Sequence, residues 1–175
     1  MPVRHHARPS LRRTARLLYF MAPAYAANMA PPFVRFWRGW NGPICERWLG
    51  SHKTVVGAAL GVVAAVGVTS VQSRLDWSGD LVADDRWPEL GVRFGVGAMA
   101  GDVLKSYVKR RRGIRPGSSW VPADQLDFVL GALALVGSRA GLARADIATI
   151  LALSFVGHIA VNHAACALGI RDTRW

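Results

Sequence analysis

Acidic residues are scarce in this chain. Eleven Asp and Glu face 22 Lys and Arg over 175 residues, a net charge of +11, and charged residues of both signs reach only 19%. Cysteine is nearly absent: Cys45 in a basic loop and Cys166 in an apolar segment cannot build a disulfide framework and lack metal-ligand spacing. Repeats with a period of roughly 20–50 residues and low-complexity tracts are also missing, which excludes repeat architectures. What remains is apolar. Hydrophobic residues make up 51% and the mean hydropathy is +0.20, in a length that suits one domain, so the composition points to a membrane protein. The positive excess would suit nucleic acid, anionic lipid or a phosphate-rich substrate, and its placement decides among them.

The clearest span is Thr54 to Val71, uncharged and rich in Gly, Ala and Val, just long enough to cross a hydrocarbon layer of roughly 30 Å as a helix. Ile147 to Ile170 is also uncharged, although it carries His158, Asn162 and His163. Leu17 to Phe36 is interrupted by Pro23, Asn28, Pro31 and Pro32 and is expected to kink or break. Leu90 to Val108 contains Arg93, Asp102 and Lys105, and Leu126 to Leu142 contains Asp127, charges that must face a protein interior or a wet cavity. The expected architecture is therefore an all-α integral membrane protein of about five transmembrane helices. Residues 1–16 form a basic tail and 17–175 the embedded domain. Gly57 and Gly61, Gly91 and Gly95, and Gly97 and Gly101 stand at the four-residue spacing that lets helices approach closely in lipid.

Charge in the connections predicts orientation. Arg38, Arg47 and Lys53 precede one span, and Lys105, Lys109, Arg110, Arg111, Arg112 and Arg115 mark another connection, so both belong on the cytoplasmic side. Asp76, Asp80, Asp84, Asp85 and Glu89 outnumber Arg74 and Arg86 between them, which puts that connection outside and the tail with Arg171 and Arg174 inside. The N-terminal Arg4, Arg8, Arg12, Arg13 and Arg16 conflict with this scheme, since five spans place them outside. A re-entrant first segment, interior loops that outvote the tail, or a downstream start each reconciles the conflict, as would a signal peptide cleaved near Ala24 and Ala26.

The segment from Gly101 to Gly113 places an acid at the end of an apolar helix, followed by a basic run at the membrane surface. Helical spacing puts Asp102, Ser106 and Lys109 on one face, offering a carboxylate, a hydroxyl and an ammonium group. The basic run alone reads as an anchor against lipid headgroups, a position that argues against nucleic acid. Asp124 and Asp127 lie three residues apart on one side of the next helix. Asp124 is explained as a cap or a partner of the helix dipole; Asp127 is not. Buried acids beside a third repel unless a cation sits among them, and all-oxygen ligands suit Mg²⁺. Gly50-Ser51-His52-Lys53-Thr54 could hold phosphate at a helix start or simply cap it. His158 and Asn162, one turn apart, line a cavity or bond between helices.

In this order the pieces resemble the CDP-archaeol synthase family, integral membrane cytidylyltransferases related to the phosphatidate cytidylyltransferases. The matching residues are Pro23-Ala24-Tyr25, Ala27-Asn28 and Pro31; Gly50, Lys53-Thr54 and Gly57; then Gly97-Ala98, Gly101-Asp102, Ser106, Lys109-Arg110-Arg111 and Gly113. Pro116-Gly117, Asp124-Gln125, Asp127-Phe128, His158, Asn162, Leu168-Gly169 and Trp175 complete them. The resemblance implies a polar cavity open to the cytoplasm in a plasma (inner) membrane protein. It implies Mg²⁺ as cofactor on Asp102, Asp124 and Asp127, CTP as donor and a lipid phosphate as acceptor, with a homodimer as a candidate assembly. Lys109, Arg110 and Asp127 are the expected catalytic residues. Asn28, Lys53, Thr54, Ser106, Arg111, His158 and Asn162 are expected to bind or orient substrate.

Archaeal members usually carry a longer acidic loop ending Asp-Gly-Lys-Thr-Trp-Arg-Gly, whereas here Ser51-His52-Lys53-Thr54-Val55-Val56-Gly57 follows a short loop. The difference bears on nucleotide contacts from this loop and on the acceptor, which is archaetidic acid-like (2,3-bis-O-geranylgeranylglycerol 1-phosphate) or, as expected of a bacterial member, another lipid phosphate such as phosphatidate. The rival expectation is a transporter or scaffold whose intramembrane acids pair with Arg93, Lys105 and the basic run.

Overall fold

The computed structural model describes residues 11–75, 77, 81–82, 86–115 and 118–167. Outside them lie Arg4 and Arg8 of the basic tail, Asp76, Asp80, Asp84 and Asp85 of the acidic connection, Pro116-Gly117, and the terminal Leu168-Gly169, Arg171, Arg174 and Trp175. Among the described residues regular structure is helical: α1 (Leu11–Met29), a 3-10 turn (Pro31–Phe36), α2 (Glu46–Leu49), α3 (Val55–Leu75), α4 (Trp87–Arg111), α5 (Ala123–Val136) and α6 (Arg144–Ala167). The long helices alternate in direction. Lys53 ahead of α3 reaches Asp102 near the end of α4, and Glu89 near the start of α4 reaches Arg139 just beyond α5, 3.0 Å away. α1 runs alongside α6, joined by Arg13 to Asp146 at 2.9 and 2.6 Å and by the Tyr25 and Ser154 hydroxyls at 2.8 Å.

Two helices, Val55–Leu75 and the stretch Arg144–Ala164 of α6, are long and apolar enough to cross a membrane. Their side chains are sorted opposite to those of a water-soluble core. α3 turns Gly57, Gly61, Ala65 and Thr69 inward, while Val63 is 65% exposed. α6 buries Asp146, Ser154 and Asn162, whereas Val156 is 64% exposed. Although Ile150 of α6 is also buried, small and polar groups inside with Val63 and Val156 outside suit a lipid solvent, which gives apolar surface no reason to hide.

The element boundaries follow from local chemistry. α1 passes through Pro23 without a break as a continuous 19-residue helix. It gives way only before Pro31-Pro32, where two adjacent residues lack N–H donors. It also starts at Leu11, inside the stretch read as a tail. α5 is shorter than the Leu126–Leu142 expectation, ending at Val136. Turns then lead through Gly141, whose φ of +57° favours glycine.

α4 packs between α3 and α5 through two glycine edges. A Cβ at Gly95 would stand 2.6 Å from the Val62 backbone of α3, and one at Gly97 would stand 2.6 Å from the Gly131 carbonyl oxygen of α5. A Cβ at Gly101 would run into the Asp127 carbonyl oxygen. The α4 and α5 backbones therefore touch, the close approach expected from the four-residue glycine spacing. Beside this seam Met21, Ala24, Phe94, Ala98, Phe128 and Val129 fill the core, with Phe20 edge-on to Phe94 at 5.1 Å.

Candidate active site

The antiparallel order brings the end of α1, the starts of α3 and α5, and the ends of α4 and α6 together at one end of the bundle. There the α4–α5 seam holds Asp102, Lys105 and Lys109 on one side and Asp124 and Asp127 on the other. The Lys105 ammonium lies 3.1 Å from Asp102 Oδ1, 3.3 Å from Asp124 Oδ1 and 2.7 Å from Asp127 Oδ2. Lys53 pairs with the other oxygen of Asp102. Lys109 donates to both oxygens of Asp124, at 3.0 and 3.1 Å, and to the Ser118 carbonyl at 2.5 Å. Three carboxylates and three ammonium groups thus alternate in a cluster where Lys109 and Asp127 are buried. Desolvation on this scale is tolerable only because every charge has a partner.

Asp124 stands ahead of the apolar stretch that begins at Leu126. It accepts the Trp120 backbone N–H at 2.6 Å and faces the Lys109 and Lys105 ammonium groups. Contrary to the expected cap, Asp124 therefore does not cap the free N–H groups of α5; its carboxylate bonds back to the loop at Trp120 and to Lys109. Asp127 accepts the Phe128 N–H on Oδ1 at 2.7 Å. Its Oδ2 is buried and, despite lying 2.7 Å from Lys105, has no contact of hydrogen-bond geometry.

Other expected site residues lie at varying distance from this cluster. The Ser106 hydroxyl is on the expected face, but it donates to the Asp102 carbonyl of its own helix at 2.8 Å. Thr54 Oγ1 accepts the Gly57 N–H at 3.2 Å, capping α3. Arg111 reaches outward, donating to the Tyr107 hydroxyl at 3.0 Å and lying over its ring. Arg110 Nε is buried without a hydrogen-bond partner among the described residues. Asn28 is half-buried in the last turn of α1. His158 and Asn162 meet at 3.2 Å, with the His158 ring 6.4 Å from that of Phe128. One residue not expected as a site residue also belongs here: Lys105 stands at the centre of the carboxylates. The step of three from Asp102 and four to Lys109 is the signal that could have found Lys105.

Lys53 is positioned by main chain. The Ile44 N–H donates to the Lys53 carbonyl at 2.7 Å and the Val55 N–H to the Gly42 carbonyl at 3.0 Å, closing a bridge between Pro43 and Thr54. Gly50, at φ +84°, turns the chain out of α2 into this loop.

As a donor set, three carboxylates converging on one point fit a hard divalent cation. The point is held here by the Lys105 ammonium, and among the described residues no three His, Cys, Asp or Glu side chains are already spaced to hold a metal ion.

An apolar-surfaced helical bundle with a charge-balanced cluster at one end is the layout of an intramembrane enzyme acting on an anionic substrate. The chain belongs to the CDP-archaeol synthase (CarS-like) family, whose pattern it matches over residues 11–175. It is 34% identical to a CDP-archaeol synthase of Thermofilum pendens, over 92% of this chain and 81% of that one. A CDP-archaeol synthase of Methanosphaerula palustris is 36% identical, over 89% of this chain and all of the other. Among solved structures, an intramembrane enzyme for archaeal membrane lipid biosynthesis superposes with a TM-score of 0.68 at 28% identity, covering 83% of this chain and 91% of that one.

Proposed function

We propose that the chain transfers CMP from CTP to a lipid phosphate, releasing pyrophosphate and leaving a CDP-lipid, in phospholipid biosynthesis. An oxygen of the lipid phosphate attacks the α-phosphorus in line. The bond to the β-phosphate breaks, and its electron pair leaves with pyrophosphate. Such a reaction needs little covalent help from side chains; alignment of two anions and neutralisation of their charge supply the rate. The observation that carries this reading is the cluster of Lys53, Lys105 and Lys109 with Asp102, Asp124 and Asp127 at one end of the bundle.

Arg110, with its unpartnered buried Nε, is suited to take a phosphate oxygen. Lys109 and Lys53 offset further phosphate charge, while His158 and Asn162 orient substrate from α6. Asn28, Ser106, Thr54 and Arg111 act around them, Ser106 and Thr54 chiefly by fixing their helices. Asp102, Asp124 and Asp127 would hold Mg²⁺, which would supply charge neutralisation on the triphosphate.

In this reading α1, α3, α4, α5 and α6 make five crossings, and the site end faces the cytoplasm, where Arg110 to Arg112 and Arg115 obey the positive-inside rule. The short α5, about 21 Å long at 1.5 Å per residue, fits a span whose start sits in a polar cavity. A transporter would need polar groups through the depth of the bundle, but Phe94, Ala98, Val129 and Ala132 interpose an apolar layer beside the cluster.

The test offers labelled CTP to detergent-purified protein with phosphatidate and with 2,3-bis-O-geranylgeranylglycerol 1-phosphate side by side. Label is expected in the lipid phase with at least one acceptor, and folded protein that labels neither refutes the reading.

A further inference from the structure

We infer that Lys105 is an internal stand-in for a divalent cation, which must be displaced before such an ion can occupy the carboxylates. The inference rests on the metal-binding reading above and concerns what opposes that binding. Each flanking lysine has partners of its own. Lys53 takes one oxygen of Asp102, and Lys109 is held by Asp124 and the Ser118 carbonyl. Lys105 alone stands where all three carboxylates meet, with its side chain 14% exposed.

Its hold there is by charge more than by directed bonding. Only the contact with Asp102 Oδ1 has hydrogen-bond geometry, and Asp127 Oδ2 at 2.7 Å is left without a hydrogen bond. The ammonium thus occupies the one point where three carboxylate oxygens converge, the kind of donor set a hard cation takes. The four-carbon stem lets the ammonium swing aside without moving the helix. A metal ion arriving alone must therefore expel a unit positive charge from a desolvated cluster. Phosphate groups arriving with the ion would give the expelled ammonium a new partner.

The experiment measures Mn²⁺ binding to detergent-purified protein without nucleotide, from the electron paramagnetic resonance signal of free Mn²⁺. Lys105→Met is expected to bind Mn²⁺ roughly tenfold or more tighter than the unaltered chain, since a unit charge a few ångströms away in a partly buried site is removed. Lys105→Arg should stay weak, and Lys105→Met with Asp102→Asn should lose the gain. Equal affinity of Lys105→Met and the unaltered chain overturns the stand-in role and leaves the metal reading intact. Mn²⁺ binding by none of the proteins overturns the metal reading itself. A second measurement needs no variant: amine-reactive labelling of Lys105, read by mass spectrometry, should rise severalfold when Mn²⁺ is saturating. Unchanged labelling under Mn²⁺ occupancy refutes displacement even if the Met variant does not fold.

Discussion

Gly97→Ala is the most informative single change, because its site lies one turn from the cluster and touches no charged group. Its Cβ would stand 2.6 Å from the Gly131 carbonyl oxygen and 2.9 Å from the Ala132 Cα. Both are backbone, so no rotamer relieves the clash and α4 and α5 must part by several tenths of an ångström. Overpacking of this kind costs about 1–3 kcal/mol, a fall of about 2–12 °C in Tm for a chain of this size. Because the contacts of Lys105 with Asp124 and Asp127 cross the same seam, CMP transfer should fall by roughly tenfold or more, through misplacement rather than lost chemistry. Gly67→Ala is the control, since its Cβ meets nothing within 4 Å. It should be neutral or stabilise by about 0.5–1 kcal/mol. Thermal unfolding followed by tryptophan fluorescence, paired with label transfer from CTP to lipid, reads both effects. Unaltered stability and activity in Gly97→Ala would refute the close α4–α5 seam as the element that sets the site.

Asp127→Asn should reduce transfer by at least about a hundredfold while the protein still folds, because an amide keeps the acceptor for the Phe128 N–H but removes the charge facing Lys105; the lipid-labelling assay checks this. Asp124→Asn should lower Tm at neutral pH, because it removes the charge facing Lys109 and Lys105 and weakens the acceptor for the Trp120 N–H; thermal unfolding of the variant beside the unaltered chain reads the difference. Arg13→Ala and Asp146→Ala should each destabilise by about 0.5–1 kcal/mol, with a coupling that shrinks in high salt, because Arg13 keeps a third of its side chain exposed. A double-mutant cycle in low and high salt measures that coupling.

The helices were legible where one property repeats along the chain. Gly91, Gly95, Gly97 and Gly101 announced two close contacts by spacing alone, and both exist, on opposite sides of α4. Spacing also put Asp102, Ser106 and Lys109 on one face. It could not say that the Ser106 hydroxyl turns back onto its own helix, since periodicity fixes a side chain's azimuth and not its hydrogen bond. In the sequence Lys105 is one more charge that its span must turn to an interior or a wet cavity, because its partners Asp124 and Asp127 arrive only across the seam. The arginines before Leu17 conflicted with the orientation expected from charge. Arg13 finds Asp146, 133 positions away, at the end of the bundle opposite the cluster, a pairing that no local pattern encodes.

The bridge between Pro43 and Thr54 bears on how freely the loop before α3 can change. Main-chain groups of Gly42, Ile44, Lys53 and Val55 make the two bonds that hold it, so the side chains around the lysine are not what delivers Lys53 to Asp102. Side-chain substitutions around this lysine can therefore accumulate and still leave the ammonium on Asp102. The side chains of the same loop are then free to change while the main chain keeps Lys53 in place.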